Sequence, residues 1–233
     1  MALPVFLALL SGCPLPPRAP RPAPPPAVPS APAPHVGTPY EILPQSSLLT
    51  ILVYRGGALA SAGHNHVIAS HDLSGTIYVP PELLQSSFEV HVPVATLTVD
   101  EAALRAQQPA AEFPADVSES AKEGTRRNML GEALLDAQHN PEIVLRSLQL
   151  TAADSAAVLA QVESSLRGQL RTFTVPVRYR LGGNGTLEVL GEFPLRQTDL
   201  GLTPFSAMLG ALQVQDEMRM SFHIVAQAAA LKR

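Results

Sequence analysis

At 233 residues with 46% hydrophobic side chains, the chain can bury one substantial core, and it reads as one domain of about 190 residues behind a leader. Its 16 basic and 20 acidic residues give a formal charge of −4. No basic run with interleaved aromatics occurs, which excludes the clustered positive face that a nucleic-acid partner requires. A single cysteine forms no internal disulfide, and with no Trp and 5% aromatics the interior must be filled by aliphatic side chains.

The first segment, residues 1–13, joins an apolar run at 2–10 to Leu10-Ser11-Gly12-Cys13. Small residues before a Cys have the form of a lipobox, in which a signal peptidase cuts and the thiol takes a diacylglycerol. No Lys or Arg precedes the run, so a basic n-region is missing. The run is also too short to span a bilayer, which takes roughly 20 residues. Residues 14–44 are Pro- and Ala-rich, and their proline-dense part, 14–39, favours a polyproline II tether that reaches up to roughly 80 Å at ~3.1 Å per residue. The expectation is a lipid anchor at Cys13, a stiff spacer, a folded domain over 45–228 and a short tail at 229–233. An anchored domain of this kind belongs on the periplasmic side of a bacterial cell envelope.

Inside the domain the dominant period is two. FEVHVPVA (88–95) places Phe88, Val90, Val92 and Val94 on one face and Glu89 and His91 on the other. TFTVPVRYRL (172–181) alternates Phe173, Val175, Val177, Tyr179 and Leu181 against Thr174, Arg178 and Arg180. GGNG (182–185) then leads into TLEVLGEFPL (186–195), and Asn184-Gly185 between two alternating runs is a hairpin signal. Further strands are expected at 48–54, 73–80, 143–150 and 218–226, the last aligning Met218, Met220, Phe222 and Ile224. Strands separated by turns without regular helices point to an antiparallel sandwich or barrel.

The exception is 100–139, Ala- and Glu-rich, with Leu130, Leu134 and Leu135 at helical spacing and Pro109 and Pro114 as interruptions. One or two short helices are expected there, and a weaker helical stretch at 152–165.

AGHNHVIASH (62–71) holds three of the seven histidines. On a strand, His64, His66 and Ile68 share a face, so a His64/His66 metal site with His71 or His91 as third ligand is one reading. A nucleophilic site is another, but Ser206 lies in no G-x-S-x-G elbow, and the chain is read as non-enzymatic. The third reading is a polar patch bonded to backbone or carboxylate, which also suits a lipid's polar end. Asp72 and Asp199 are expected to cap turns or pair with Arg126, Arg127 or Arg196.

The order of motifs is distinctive. LSGTIYV and FEVHVPVATLTVD are followed by TRRNMLGEALLDAQHNPEI (125–143), LRGQLRTFTVPV (166–177) and GEFPLRQTDLGLTPF (191–205). This order, over about residues 46–228, resembles the YceI-like family, lipocalin-like antiparallel barrels that enclose polyisoprenoids or other long-chain lipids. Asn140-Pro141-Glu142-Ile143, Gly168 with Leu170 and Phe173, and Thr198-Asp199-Leu200-Gly201-Leu202 carry most of the likeness. Two departures stand out: Arg127-Asn128-Met129-Leu130 lacks a carboxylate that the family commonly has, and GHNH has two histidines where one is common.

The resemblance implies an all-β, eight-stranded barrel with a helical excursion, a size that holds one ligand. It implies non-enzymatic storage or transport of a lipid, polyisoprenoid or quinone-like, with no other cofactor. The expected contacts are His64, His66, Ile68, Phe88, Val90, Val92, Phe173, Val175, Val177, Tyr179 and Phe222. Beyond the lipid and the anchoring membrane, a second copy paired through an edge is the one further partner expected.

Overall fold

The computed structural model describes residues 35–154 and 157–229. The signal segment with Cys13, most of the proline spacer and residues 230–233 lie outside the described residues. The strands run in chain order as β1 (Thr38–Ile42), β2 (Leu48–Val53), β3 (Arg55–Gly56), β4 (His66–Ser70) and β5 (Ser74–Val79). Next come β6 (Ser87–Pro93), β7 (Thr98–Val99), helix α1 (Ala102–Arg105) and helix α2 (Glu119–Leu130). The long strands β8 (Glu142–Asp154), β9 (Ala157–Leu166), β10 (Gln169–Leu181) and β11 (Thr186–Arg196) follow. The chain ends with β12 (Ser206–Ala207), β13 (Leu212–Val214) and β14 (Glu217–Ala228).

These strands close an antiparallel barrel of eight staves, three of which are broken. β1 and β2 form one stave: Ile42 opposes Ala226 of β14, while Leu52 opposes Arg219 farther along the same strand. β5 lies on β1 and β4 on β2, making the second stave. β6 lies on β5 and β7 on β4, making the third. From β6 the ring passes through β8, β9, β10 and β11 to β14, which returns to β1. Closure removes the open edges that an antiparallel sheet otherwise exposes. At the first break Ser47 repairs the ladder: its buried hydroxyl accepts from the Val225 N–H at 3.0 Å and donates to the Leu43 carbonyl at 2.8 Å. A small sheet of β12, β13 and β3 continues beyond the end of β2.

The barrel starts earlier than residue 45, because β1 belongs to it. The stretch 152–165, expected to lean toward helix, is instead the end of β8 and most of β9. Val158, Ala160, Val162, Ser164 and Leu166 alternate inward there, and ladder pairing with β8 and β10 overrides the helix propensity of its alanines. The excursion does contain two helices. α2 is capped by Ser118, whose hydroxyl accepts from the Ala121 N–H at 3.3 Å, and it stops at Gly131. Leu134 and Leu135 therefore reach the core from a turn after the helix, packing beside Met129 in the same cluster. No helix among the described residues is long and apolar enough to cross a membrane.

Candidate functional site: a blind apolar cavity and a buried histidine network

Period-two alternation places one face of every stave inside, and the barrel does not fill itself. A cavity of about 270 Å³ remains along its axis. This lies just below the range for small-molecule sites, roughly 300–1,000 Å³. Among the described residues no acidic or basic side chain lines it; Ser86, Ser164, Gln197 and Tyr179 are the polar members. Gln197 is itself committed, donating to the Gln215 carbonyl at 2.8 Å.

The exposure of the lining residues tells the two ends apart. Leu97, Met129, Leu135 and Leu202 are buried, and together they seal the end under α2. At the other end Tyr179 is 38% and Leu181 44% exposed although both face the cavity. The cavity is thus a blind tube whose mouth lies by the β10–β11 hairpin. Midway, Phe222 crosses the strand beside it: a Cβ on Gly191 would stand 2.4 Å from the Phe222 ring, so only glycine leaves that ring its place.

Ile68, Phe88, Val90, Val92, Phe173, Val175, Val177, Tyr179 and Phe222, singled out from alternation, all line this tube. His64 and His66 do not. Sequence reasoning missed the inward faces of β2 (Leu49, Ile51) and β9 (Val158, Ala160, Val162), and Leu200 and Leu202 at the sealed end. Alternation in LLTILV carried the first signal; the alanines of β9 hid the second.

His66 shares a parity with Ile68 but sits where α2 crosses the barrel end. Its Nδ1–H donates to Asp100 Oδ2 at 2.6 Å, a charge-assisted bond to a carboxylate that is fully buried. Asp100 Oδ1 accepts from the Val67 N–H at 2.9 Å and from Arg105 Nη1 at 2.6 Å. Arg105 also donates to the carbonyls of Asn65 and Pro114, at 2.8 and 2.7 Å. Asn65 in turn accepts from the Arg55 N–H at 3.0 Å and donates to the Glu112 carbonyl at 2.9 Å. Burial pushes the Asp100 carboxyl upward, but the bonds from His66 and Val67 and the charge of Arg105 prevail and hold it below the usual carboxylate range.

Nε2 of His66 shares a hydrogen bond with the Thr125 hydroxyl of α2 at 3.1 Å. The carboxylate–imidazole–hydroxyl line has the connectivity of a nucleophilic triad. None of its three members touches the cavity, however, and its evident work is to hold α2 against β4. His64 stands beside it with ring centroids 6.1 Å apart, and burial followed by the proximity of His66 lowers its pKa.

The metal reading gains no support from this geometry. Both His66 nitrogens are engaged, while His91 is bound through Nε2 to Glu89 and through Nδ1 to Glu142, each at 2.9 Å. Burial works against charge on His91, and the two carboxylates raise its pKa nonetheless. Among the described residues no group of three His, Cys, Asp or Glu could hold an ion. Ser206 is exposed in β12, and no described histidine bonds to it. Asp199 does cap a turn, accepting from the Arg196 N–H at 3.4 Å.

The model of the YceI-like domain family matches residues 40–226. Among solved structures, that of Burkholderia cenocepacia BcnA is similar at a TM-score of 0.58 and 17% identity, covering 80% of this chain and 99% of that one. A polyisoprenoid-binding domain from Saccharophagus degradans, implicated in plant cell wall breakdown, is similar at 0.51 and 11% identity, covering 82% and 98%. A search of curated protein sequences finds no match.

Proposed function

The chain belongs to the YceI-like domain family, and from that premise we propose that its barrel binds the apolar chain of a lipid, a polyisoprenoid or quinone-like molecule, for storage or transport without chemical change. The observation that carries this reading is the blind tube, which no ionic side chain lines among the described residues. Such a wall offers nothing to a charged ligand, whereas each methylene it takes from water contributes about 0.8 kcal/mol. The polyisoprenoid-binding neighbour supports the same ligand class. The polar end of the lipid is left at the mouth, since the sealed end is closed by leucines and α2. The lipobox at Cys13 supports attachment to a membrane on the periplasmic side of a bacterial envelope.

The test is binding of a fluorescent long-chain probe. Ala160 lines the tube and is 1% exposed. Ala160→Phe fills the tube from inside and should abolish probe binding while the far-UV spectrum stays that of a β-barrel. Equal binding by the variant and the parent chain would place the probe elsewhere and overturn the reading.

A further inference from the structure

Four exposed large apolar side chains of this barrel, Val36, Leu84, Tyr179 and Leu181, stand at the mouth, and the chain that leads back to the N-terminus leaves from the same place. Val36 is 50% and Leu84 46% exposed, and neither lines the cavity. Hydrogen bonds fix their common level. The Ala228 N–H donates to the Gly185 carbonyl of the β10–β11 hairpin at 2.8 Å, and the Ala229 N–H to the Pro39 carbonyl at 2.9 Å. Gly37 then crosses the backbone of Val79 and Pro80 at φ +103, where a Cβ would stand 2.3 Å from the Pro80 nitrogen. The His35 ring packs 4.4 Å from Tyr78. Val36, the β5–β6 turn with Leu84, and Tyr179 and Leu181 therefore ring one opening.

We propose that this rim is a docking surface for a lipid bilayer, with the mouth pressed into the acyl boundary so that an apolar chain passes between membrane and tube without crossing water. The inference rests on the lipid-binding reading and adds the partner surface and the orientation. Three observations converge on it. Apolar exposure at the rim is continuous with the apolar wall of the tube, which a mouth open only to water would not need. Residues 1–34, with the apolar run and Cys13, precede the domain at this rim, so an anchor there attaches on the mouth side. Arg178 stands exposed on the outer side of the strand that carries Tyr179 and Leu181, a placement that suits a lipid phosphate, while Arg180 beside it pairs with Glu188 at 2.8 Å.

The sealed end carries a rival apolar feature. Met208 and Leu209 are 67% and 108% exposed in a turn with φ of +52 and +54. Docking there would point the mouth away from the membrane.

Because the chain contains no Trp, single introduced tryptophans separate the two orientations. Full-length Val36→Trp, Leu84→Trp and Leu209→Trp are each placed with vesicles of phosphatidylethanolamine and phosphatidylglycerol carrying brominated acyl chains. Cavity loading is read separately with the fluorescent long-chain probe in vesicle-free solution. The proposal expects the emission of Val36→Trp and of Leu84→Trp to shift to the blue and to be quenched by the bromines, with that of Leu209→Trp unchanged. Quenching of Leu209→Trp alone, or of none while all three variants load the probe, overturns the docking and leaves lipid binding standing. Failure to load the probe removes the lipid-binding reading, and the rim quenching then decides the docking by itself.

Discussion

Asp100 adopts φ +54, a left-handed conformation that short polar residues tolerate best, and it uses that conformation to turn a wholly buried carboxylate toward His66, Val67 and Arg105. A buried carboxylate with three donors is stable; the same site with one partner removed is not. Asp100→Asn leaves Arg105 buried without its counter-charge and should cost about 3–5 kcal/mol in chemical denaturation. The pH dependence follows from the sign of the shift. A carboxyl ionising below its ordinary value contributes stability that is complete above the unfolded-state pKa, near 4, and is lost as pH falls toward the native value. The parent chain should therefore lose stability more steeply than Asp100→Asn below about pH 4. Equal acid slopes would show that the carboxylate is not held as the geometry indicates.

At the scale of elements, α2 closes one end of the barrel from outside its ladders. Only its inner face is buried, at Met129, and the Thr125–His66 bond is a side-chain tie between the helix and β4. Arg126 adds bonds to the carbonyls of Ala95 and Leu97, at 2.6 and 3.2 Å. Thr125→Val keeps the shape of the side chain and leaves Nε2 of His66 without that hydrogen-bond partner, at a cost of about 1–3 kcal/mol. Hydrogen exchange should then quicken in residues 119–130 and leave β9 and β10 protected, since the barrel ladders do not depend on the helix. Uniform quickening across the strands would mean that α2 is part of the barrel's single cooperative unit. Legibility in the sequence divides at this scale. The strands with clean alternation, β6, β10, β11 and β14, could be read with their inward faces. β9 could not, because Ala157, Ala160, Ser164 and Ser165 resemble helix until two neighbouring strands supply the ladder. The histidines were read onto the lining because parity put His66 with Ile68. Parity cannot show that a helix 59 residues away in sequence, bearing Thr125, covers that end of the strand.

For the molecule as a whole, the arrangement is a sealed base, a tube without ionic groups and an apolar mouth from which the N-terminal chain departs. Each follows from a different property of the sequence. The base comes from the excursion between β7 and β8, the tube from alternation sustained around eight staves, and the mouth from apolar residues placed where turns are ordinarily polar. An interior that served only stability would close on itself, because native cores pack to the density of organic crystals. The remaining space of about 270 Å³ is the central claim in physical form: the barrel is shaped for an occupant. Native mass spectrometry of the chain purified from its own host without detergent, followed by solvent extraction, addresses this most directly. The account predicts a discrete added mass that extraction releases as a lipid with a long apolar chain, and that Ala160→Phe lacks. A chain that consistently flies at its bare mass and yields no extractable lipid would contradict it.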